Sequence, residues 1–296
     1  MAKSDSIADR RKRFREALAG GSLQRLPGAF TPLVAKEVER HGFEGIYISG
    51  AAISAAAGLP DIGLTTLTEV ATQSGAIARA TSLPTIVDAD TGFGDTANVA
   101  RTVESFEAAG LCGIHLEDQV MPKRCGHLDG KELVSPEEMC QKIRAAIAAK
   151  QDSNFLIIAR TDAKGVDGLD AAIDRAKRYL DAGAEMIFPE ALADESEFAA
   201  FREAIPAPLL ANITEFGKSP LLTTKQLTDL GYNAAIYPVT TLRLAMKAIR
   251  GGLEELASQG TQSGALEQMQ TRQELYDLLG YDAYAERDRE LSDDSP

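Results

Sequence analysis

TIVDADTGFGDTANVARTVESFEAAGLCGIHLE, residues Thr85 to Glu117, decides the fold. It opens with a short β-branched run that ends in two acids, Asp88 and Asp90. A segment of helical period follows, Thr96–Ala109, and Gly110 reads as its left-handed cap. A second apolar run, Gly113–Glu117, closes the stretch on an acid. Two buried-type strands around one helix make a parallel βαβ unit.

The pattern continues in both directions. Strand-like runs stand at Leu26–Phe30, Gly45–Ser49, Phe155–Thr161, Met186–Pro189, Leu209–Asn212 and Ala234–Tyr237. Helical stretches lie between them, at Val34–His41, Leu67–Ala80, Pro136–Ala149, Gly168–Ala182, Glu195–Ala204 and Thr224–Leu230. Gly183 and Gly231 sit at helix ends, and Ser135-Pro136 and Thr223-Thr224 at helix starts. Eight strands, each followed by a helix, predict an α/β fold: a parallel sheet closed into a (β/α)8 barrel of the TIM type. An open, doubly wound sheet is the alternative. Its dinucleotide-binding form is disfavoured because no GxGxxG follows the first strand.

The chain has 296 residues with 44% hydrophobic content, enough for one large barrel domain over 1–296. Residues 242–285 read as a C-terminal helical extension, longer than one barrel helix requires. The charged stretch 286–296 is expected to fray. A net charge of −13 disfavours nucleic acid as a partner. An anionic small molecule stays open, since local cations govern a cleft. No apolar run reaches the ~18 residues of a membrane span. The basic run Arg10-Arg11-Lys12-Arg13 has no apolar segment behind it, so it reads as a solvated helix face, not a signal peptide. Cys112, Cys125 and Cys140 form no CxxC, which fits a reducing cytoplasm.

A barrel of this kind carries its site at the carboxyl ends of its strands. Those ends hold Tyr47 with Ser49-Gly50, Asp88 with Asp90, His115 with Glu117, Arg160 with Asp162, Glu190, then Asn212 with Thr214 and Glu215, and Pro238 with Arg243 beyond. Asp88 and Asp90 are two apart on a strand and share a face. Glu117 joins them from the next strand. Three carboxylates without zinc-type spacing suit a hard cation such as Mg²⁺. The plainer alternative is two aspartates capping the next helix. Ser49-Gly50 is either a carboxylate-binding turn or a tight turn only. Arg160, Arg243 and Arg272 are candidate carboxylate clamps, with a surface ion pair as the default for Arg272. In Lys123-Arg124-Cys125-Gly126-His127, three cationic or titratable groups flank a lone thiol and would favour its thiolate. A solvated basic loop with an incidental cysteine is the alternative.

These segments resemble the isocitrate lyase/phosphoenolpyruvate mutase superfamily. The resemblance runs through Tyr47-Ile48-Ser49-Gly50, Val87–Gly94, Glu117-Asp118-Gln119, the Lys123–His127 loop, Ala159–Ala163, Phe188–Ala191, Ala211–Gly217 and Met269–Arg272. It covers Gly28 to Tyr281. The Lys-Arg-Cys-Gly-His form is similar to that of members cleaving 2-methylisocitrate; isocitrate-cleaving members carry Lys-Lys-Cys-Gly-His and are much longer. Two departures are local. Ala51 stands where a second glycine is usual, and Gly28–Val34 differs from the usual segment.

The resemblance implies a barrel whose last helix is exchanged between subunits of a homotetramer, bringing Arg272 toward the site. It implies retro-aldol-type cleavage of the tricarboxylate 2-methylisocitrate to pyruvate and succinate, a step of the methylcitrate route for propionate. Mg²⁺, or Mn²⁺ in its place, would sit on Asp88, Asp90 and Glu117. Cys125 would be the acid, with Lys123 and His127 in the catalytic loop and Tyr47 or Glu117 as base. Ser49, Gly50, Ala51, Gly126, Arg160, Glu190, Asn212, Ile213, Thr214, Arg243 and Arg272 would bind substrate. Glu190, Arg160 and His127 would also order the cysteine loop, and Gln119–Leu133 would act as a lid. The rival substrates are isocitrate, dimethylmalate and oxaloacetate; a non-catalytic metabolite-binding barrel is the rival class.

Overall fold

The computed structural model describes residues 6–293 and divides into two compact units, one ending at Thr241 and one beginning at Leu242. The first unit runs α1 (Ile7–Ala19), β1 (Gln24–Pro27), α2 (Pro32–Arg40), β2 (Ile46–Ile48), α3 (Gly50–Ala56), α4 (Leu67–Arg79), β3 (Thr85–Asp88), α5 (Thr96–Ala108), β4 (Gly113–Glu117) and α6 (Pro136–Ala149). It continues with β5 (Leu156–Thr161), α7 (Lys164–Asp167), α8 (Leu169–Asp181), β6 (Met186–Pro189), α9 (Glu195–Ala204), β7 (Leu210–Asn212), α10 (Thr224–Asp229) and β8 (Ala234–Tyr237). The helix α11 (Thr240–Gln259) leads into the second unit, which holds α12 (Arg272–Leu279) and α13 (Tyr281–Asp293).

All strand pairs are parallel, in the orders β2-β3-β4-β5-β6 and β1-β8-β7. Parallel bridges Gly28–Tyr47 and Ile187–Leu209 join the two sets and close the barrel. Alternation decides what each strand residue does. Leu26, Tyr47, Ile86, Ile158, Phe188, Leu210 and Ile236 form the inner core. Their neighbours Ile46, Ile48, Val87, Ile114, Leu116, Ile157, Ile187 and Ala235 pack outward against the helices. Both faces are buried, which is why each strand reads as an unbroken apolar run. The glycines expected at helix ends, Gly110, Gly183 and Gly231, have φ of 89°, 109° and 78°.

The basic run at the amino end is only half the solvated face expected: Lys12 and Arg13 are exposed, Arg10 and Arg11 are not. Phe14 and Leu18 of α1 join the inner core. Arg11 is buried: Nε donates to the Leu111 carbonyl at 2.8 Å, Nη2 to the Glu107 carbonyl at 2.7 Å, and Nη1 faces Asp152 at 3.2 Å. Lys12 alone of the first three bases keeps the solvated role, with an exposed pairing to Glu16. Replacing Arg11 by Met should cost ~2–4 kcal/mol, because two carbonyls and a carboxylate lose a buried partner. Denaturant unfolding measures this, and a loss below ~1 kcal/mol would make the Arg11 anchor dispensable.

In the second unit, the stretch from Glu286 expected to fray is helical as far as Asp293; 294–296 lie outside the described residues. Leu244, Met246, Ile249, Leu253 and Leu256 of α11 are exposed. Among the described residues no helix is long and apolar enough to cross a membrane.

Candidate active site

The inner face turns polar one step beyond the core. Asp88 follows Ile86, Glu117 follows His115, Arg160 follows Ile158, Glu190 follows Phe188 and Asn212 follows Leu210, each two residues on. The same alternation that fills the barrel therefore aims these groups into its mouth. Register sets Asp88 beside His115 and Glu117 beside Arg160.

Asp88 and Asp90 converge in front of α3. Asp88 Oδ2 accepts the Gly50 N–H at 3.2 Å, and Oδ1 accepts the Asp90 N–H at 2.9 Å. Asp88 Oδ2 and Asp90 Oδ1 lie 2.9 and 3.5 Å from where a Gly50 side chain would begin, so only glycine fits there. Asp90 itself has φ of 45°. Lys123 Nζ reaches Asp90 at 2.8 Å and also bonds Asp61. Burial and the neighbouring Asp88 push the Asp90 carboxyl up to about 6. Burial works against Asp88 too, yet its cationic neighbours hold it below the usual range. Burial raises Glu117 well above its ordinary value. Its Oε2 stands 3.4 Å from Arg160 Nε, and its Oε1 is buried with no hydrogen-bond partner. Burial would lower the Lys123 ammonium, but Glu117, Asp90, Asp88 and Asp61 outweigh it and keep the charge.

Arg160 is the hub of the other side. Nε and Nη2 donate to the two oxygens of Asp162 at 2.9 and 3.1 Å, and Nη2 pairs with Glu190 at 3.2 Å. The guanidinium also lies 5.1 Å from the Phe188 ring centre. The cysteine loop docks on this hub through Gly126. A side chain there would clash with Arg160 Nη2 and stand 2.6 Å from Glu190 Cγ. His127 Nδ1 accepts the Lys218 backbone N–H at 3.0 Å, so its proton belongs on Nε2, which faces Glu190 at 3.0 Å. Asn212 Nδ2 donates to both Glu190 oxygens, at 3.3 and 3.2 Å.

This geometry revises the expected thiolate cluster. Lys123 is committed to acids, His127 turns its Nε2 to Glu190, and Arg124 is exposed. Cys125 itself is half-buried on the loop. The Tyr47 hydroxyl meets His115 Nε2 at 2.8 Å, and burial followed by Asp88 raises it well above the ordinary phenol value. A phenol held this way keeps its proton more tightly than a free one, and burial acts on Glu117 in the same direction, so both stay candidate bases. Burial drives His115 down to about 4, so it is neutral at pH 7.

Ser49 caps α3 by accepting the Ala52 N–H at 3.4 Å, and the Gly50 N–H is taken by Asp88. Ala51 follows within α3 and is half-buried. Thr214 is buried just past β7, and the Asn212 Oδ1 has no partner. Ile213 is not brought in: its side chain packs in the outer core and its N–H bonds the Ile236 carbonyl at 2.9 Å. Arg243 and Arg272 lie in the second unit, on α11 and at the start of α12, so the barrel mouth itself does not supply them. The sequence reading missed Asp61 and Lys131 as site groups, and it placed His115 at the mouth without giving it a role. His115 alone had a local signal, standing two residues before Glu117 on the inner face.

Among the described residues no three His, Cys, Asp or Glu side chains enclose a cation as they stand. A Mg²⁺ ion does not require that, since it takes one or two carboxylates and fills its octahedron with water and substrate. The convergent Asp88 and Asp90 and the unpartnered Glu117 Oε1 form an all-oxygen donor set that fits it.

The fold and mouth define a class: a (β/α)8 barrel whose mouth sets a cluster of buried acids beside a buried guanidinium. The phosphoenolpyruvate phosphomutase family model matches residues 14–257, and the chain belongs to that family, within the PEP mutase/isocitrate lyase superfamily. It is 59% identical over 279 residues to probable 2-methylisocitrate lyase 1 of Corynebacterium glutamicum, covering 94% of this chain and 92% of that one. It is 50% identical over 279 residues to 2-methylisocitrate lyase of Aeropyrum pernix, covering 94% and 90%. Among solved structures, oxaloacetate acetylhydrolase with 3,3-difluorooxalacetate superimposes with a TM-score of 0.90 at 35% identity, over 97% of this chain and 99% of that one. Phosphonopyruvate hydrolase in complex with oxalate and Mg²⁺ gives 0.86 at 33% identity, over 96% and 98%.

Proposed function

We propose that this chain cleaves 2-methylisocitrate to pyruvate and succinate, a step of the methylcitrate route for propionate. The observation that carries the reading is the docking of Gly126 and His127, beside Cys125, on the Arg160–Glu190 pair, with Glu117 next to Arg160 and Asp88 and Asp90 converging nearby. Near-full-length identity of 59% and 50% to proteins named 2-methylisocitrate lyases supports the substrate.

The reaction needs a proton removed from a hydroxyl, a C–C bond broken, and a proton delivered to the carbanion of nascent succinate. Arg160 and Asn212, with Ser49 and Thr214 nearby, bind the substrate carboxylates. Glu117 or Tyr47, in its deprotonated form, takes the hydroxyl proton. Cys125 delivers the last proton. Asp88 and Asp90, with Glu117, would hold Mg²⁺ or Mn²⁺, whose charge stabilises the developing carbonyl oxygen of pyruvate. Gln119–Leu133 is the lid: its two legs meet at a Gln119–Leu133 bridge, and the Gln119 side chain bonds both the N–H and the carbonyl of Arg124 at 2.9 Å.

The apolar face of α11 fits exchange of this helix between subunits of a homotetramer. Three free thiols fit the cytoplasm. The partner is a small tricarboxylate, neither nucleic acid nor membrane.

Pyruvate and glyoxylate release should be measured with methylisocitrate and isocitrate in parallel. One methyl group in an apolar pocket gives an expected preference of about ten- to two-hundredfold for methylisocitrate. Phe188 and Ile236 are fully buried in the inner core below the mouth, so they back the pocket without lining it. Equal or better turnover of isocitrate by the native chain would replace the substrate and leave the barrel chemistry in place.

A further inference from the structure

We infer that Lys131 is a positioning residue: its buried ammonium locks the cysteine loop onto Asp162 and so holds Cys125 toward the site. The inference rests on the reading of Cys125 as the acid and adds a residue the reaction as derived above does not use. The Lys131 side chain is 1% exposed. Its ammonium bonds the Gly126 carbonyl and reaches Asp162 Oδ1 at 2.8 Å. Lys131 stands on the returning leg of the loop and Gly126 on the outgoing leg, beside Cys125. One cation thus spans the loop and ties it to the barrel.

The anchor it uses is fixed from several sides. Asp162 also takes the Arg160 fork, and its N–H donates to Asp118 Oδ1 at 2.8 Å. Asp118 Oδ2 accepts the hydroxyls of Thr161 at 2.9 Å and Tyr179 at 2.7 Å. The returning leg is held at its root as well: Val134 N–H donates to the Asp118 carbonyl at 2.9 Å, and Arg175 Nη1 donates to the Val134 carbonyl at 2.9 Å. Gly126 has no side chain and lies against Arg160 and Glu190, so the loop is pressed from the site side and drawn from behind by Lys131. Room for the ammonium depends on Gly165, where an added Cβ would stand 3.2 Å from Lys131 Nζ. Opening the loop must either strip this ammonium of both acceptors or carry it into water. A buried charge paired in this way favours two discrete loop positions over a graded one.

The test compares Lys131→Met with the native enzyme by turnover and by alkylation of Cys125 with a neutral reagent. Lys131→Met should lower kcat by about tenfold or more and speed alkylation by a similar factor, with substrate protecting the thiol poorly. A purely structural ion pair would lower the unfolding temperature without moving the alkylation rate. Gly165→Ala crowds the ammonium and favours the helix it sits in, so it serves if Lys131→Met does not fold. It should shift both readouts in the same direction by about two- to fivefold. Native turnover and native alkylation in the folded variant overturn the lock. Failure of the Cys125 reading shows itself separately: Cys125→Ser stays active, while Lys131→Met in the chain that keeps Cys125 still speeds alkylation of its thiol.

Discussion

Cys125→Ser should keep the fold and bind substrate but lose nearly all cleavage. The serine hydroxyl occupies almost the same space on the loop, so the Gly126 and His127 contacts survive. What changes is acidity. A thiol titrates near ~8.5 in ordinary surroundings, whereas a hydroxyl of water-like acidity titrates near ~15.7. Delivery of a proton to a carbanion by a positioned acid contributes about 10²–10⁴-fold, and the loss should fall in that range. Steady-state pyruvate release measures it, with substrate binding followed separately by thermal shift. Retention of more than about a tenth of kcat, a loss under ~1.4 kcal/mol, would remove Cys125 from the acid role. Alkylation of the native chain should single out Cys125. Cys112 is 0% and Cys140 4% exposed, and burial raises both thiols.

Chelation should abolish turnover, and Mg²⁺ or Mn²⁺ should restore it, because oxygen-only sites accept both ions. Asp88→Ala or Asp90→Ala should raise the cation requirement steeply. Asp88→Asn is the milder control, since its single amide oxygen still accepts from one of the Gly50 and Asp90 N–H groups, where alanine would leave both buried and unpaired. The pH dependence has a definite sign. Asp90 holds its proton up to about pH 6, and a protonated carboxyl is a poor ligand. The cation concentration for half-maximal rate should therefore rise as pH falls through about 6. Full activity after exhaustive chelation would sink the metal-assisted route.

Much of the barrel was legible before any coordinates. The strands Gly113–Glu117, Met186–Pro189 and Ala234–Tyr237 lie where the sequence puts them. The first strand does not: Leu26–Phe30 was expected and Gln24–Pro27 is formed. Both faces of that strand are buried, so no alternation marks its register. Past Pro27, Gly28 runs so close to the Pro238 backbone that no side chain fits. The short helices α3 and α7 carried no periodic signal long enough to read.

For the site, sequence by itself determined which groups reach the mouth. Asp88, Glu117, Arg160, Glu190 and Asn212 each end an apolar run, and a period of two is a local property that the chain spells out. Only the tertiary structure decided what those groups do to one another. Lys123 finds Asp61 at a separation of 62 residues, Lys131 finds Asp162 at 31, and the proton on His127 is placed by a backbone N–H 91 residues away. Arg11, read as solvated, is buried by carbonyls 96 and 100 residues distant. Alternation and capping act between near neighbours and are written in order along the chain. Desolvation and ion pairing act through space, so Lys123, read as a partner of the Cys125 thiol, went instead to Asp61 and Asp90, which folding brought to it.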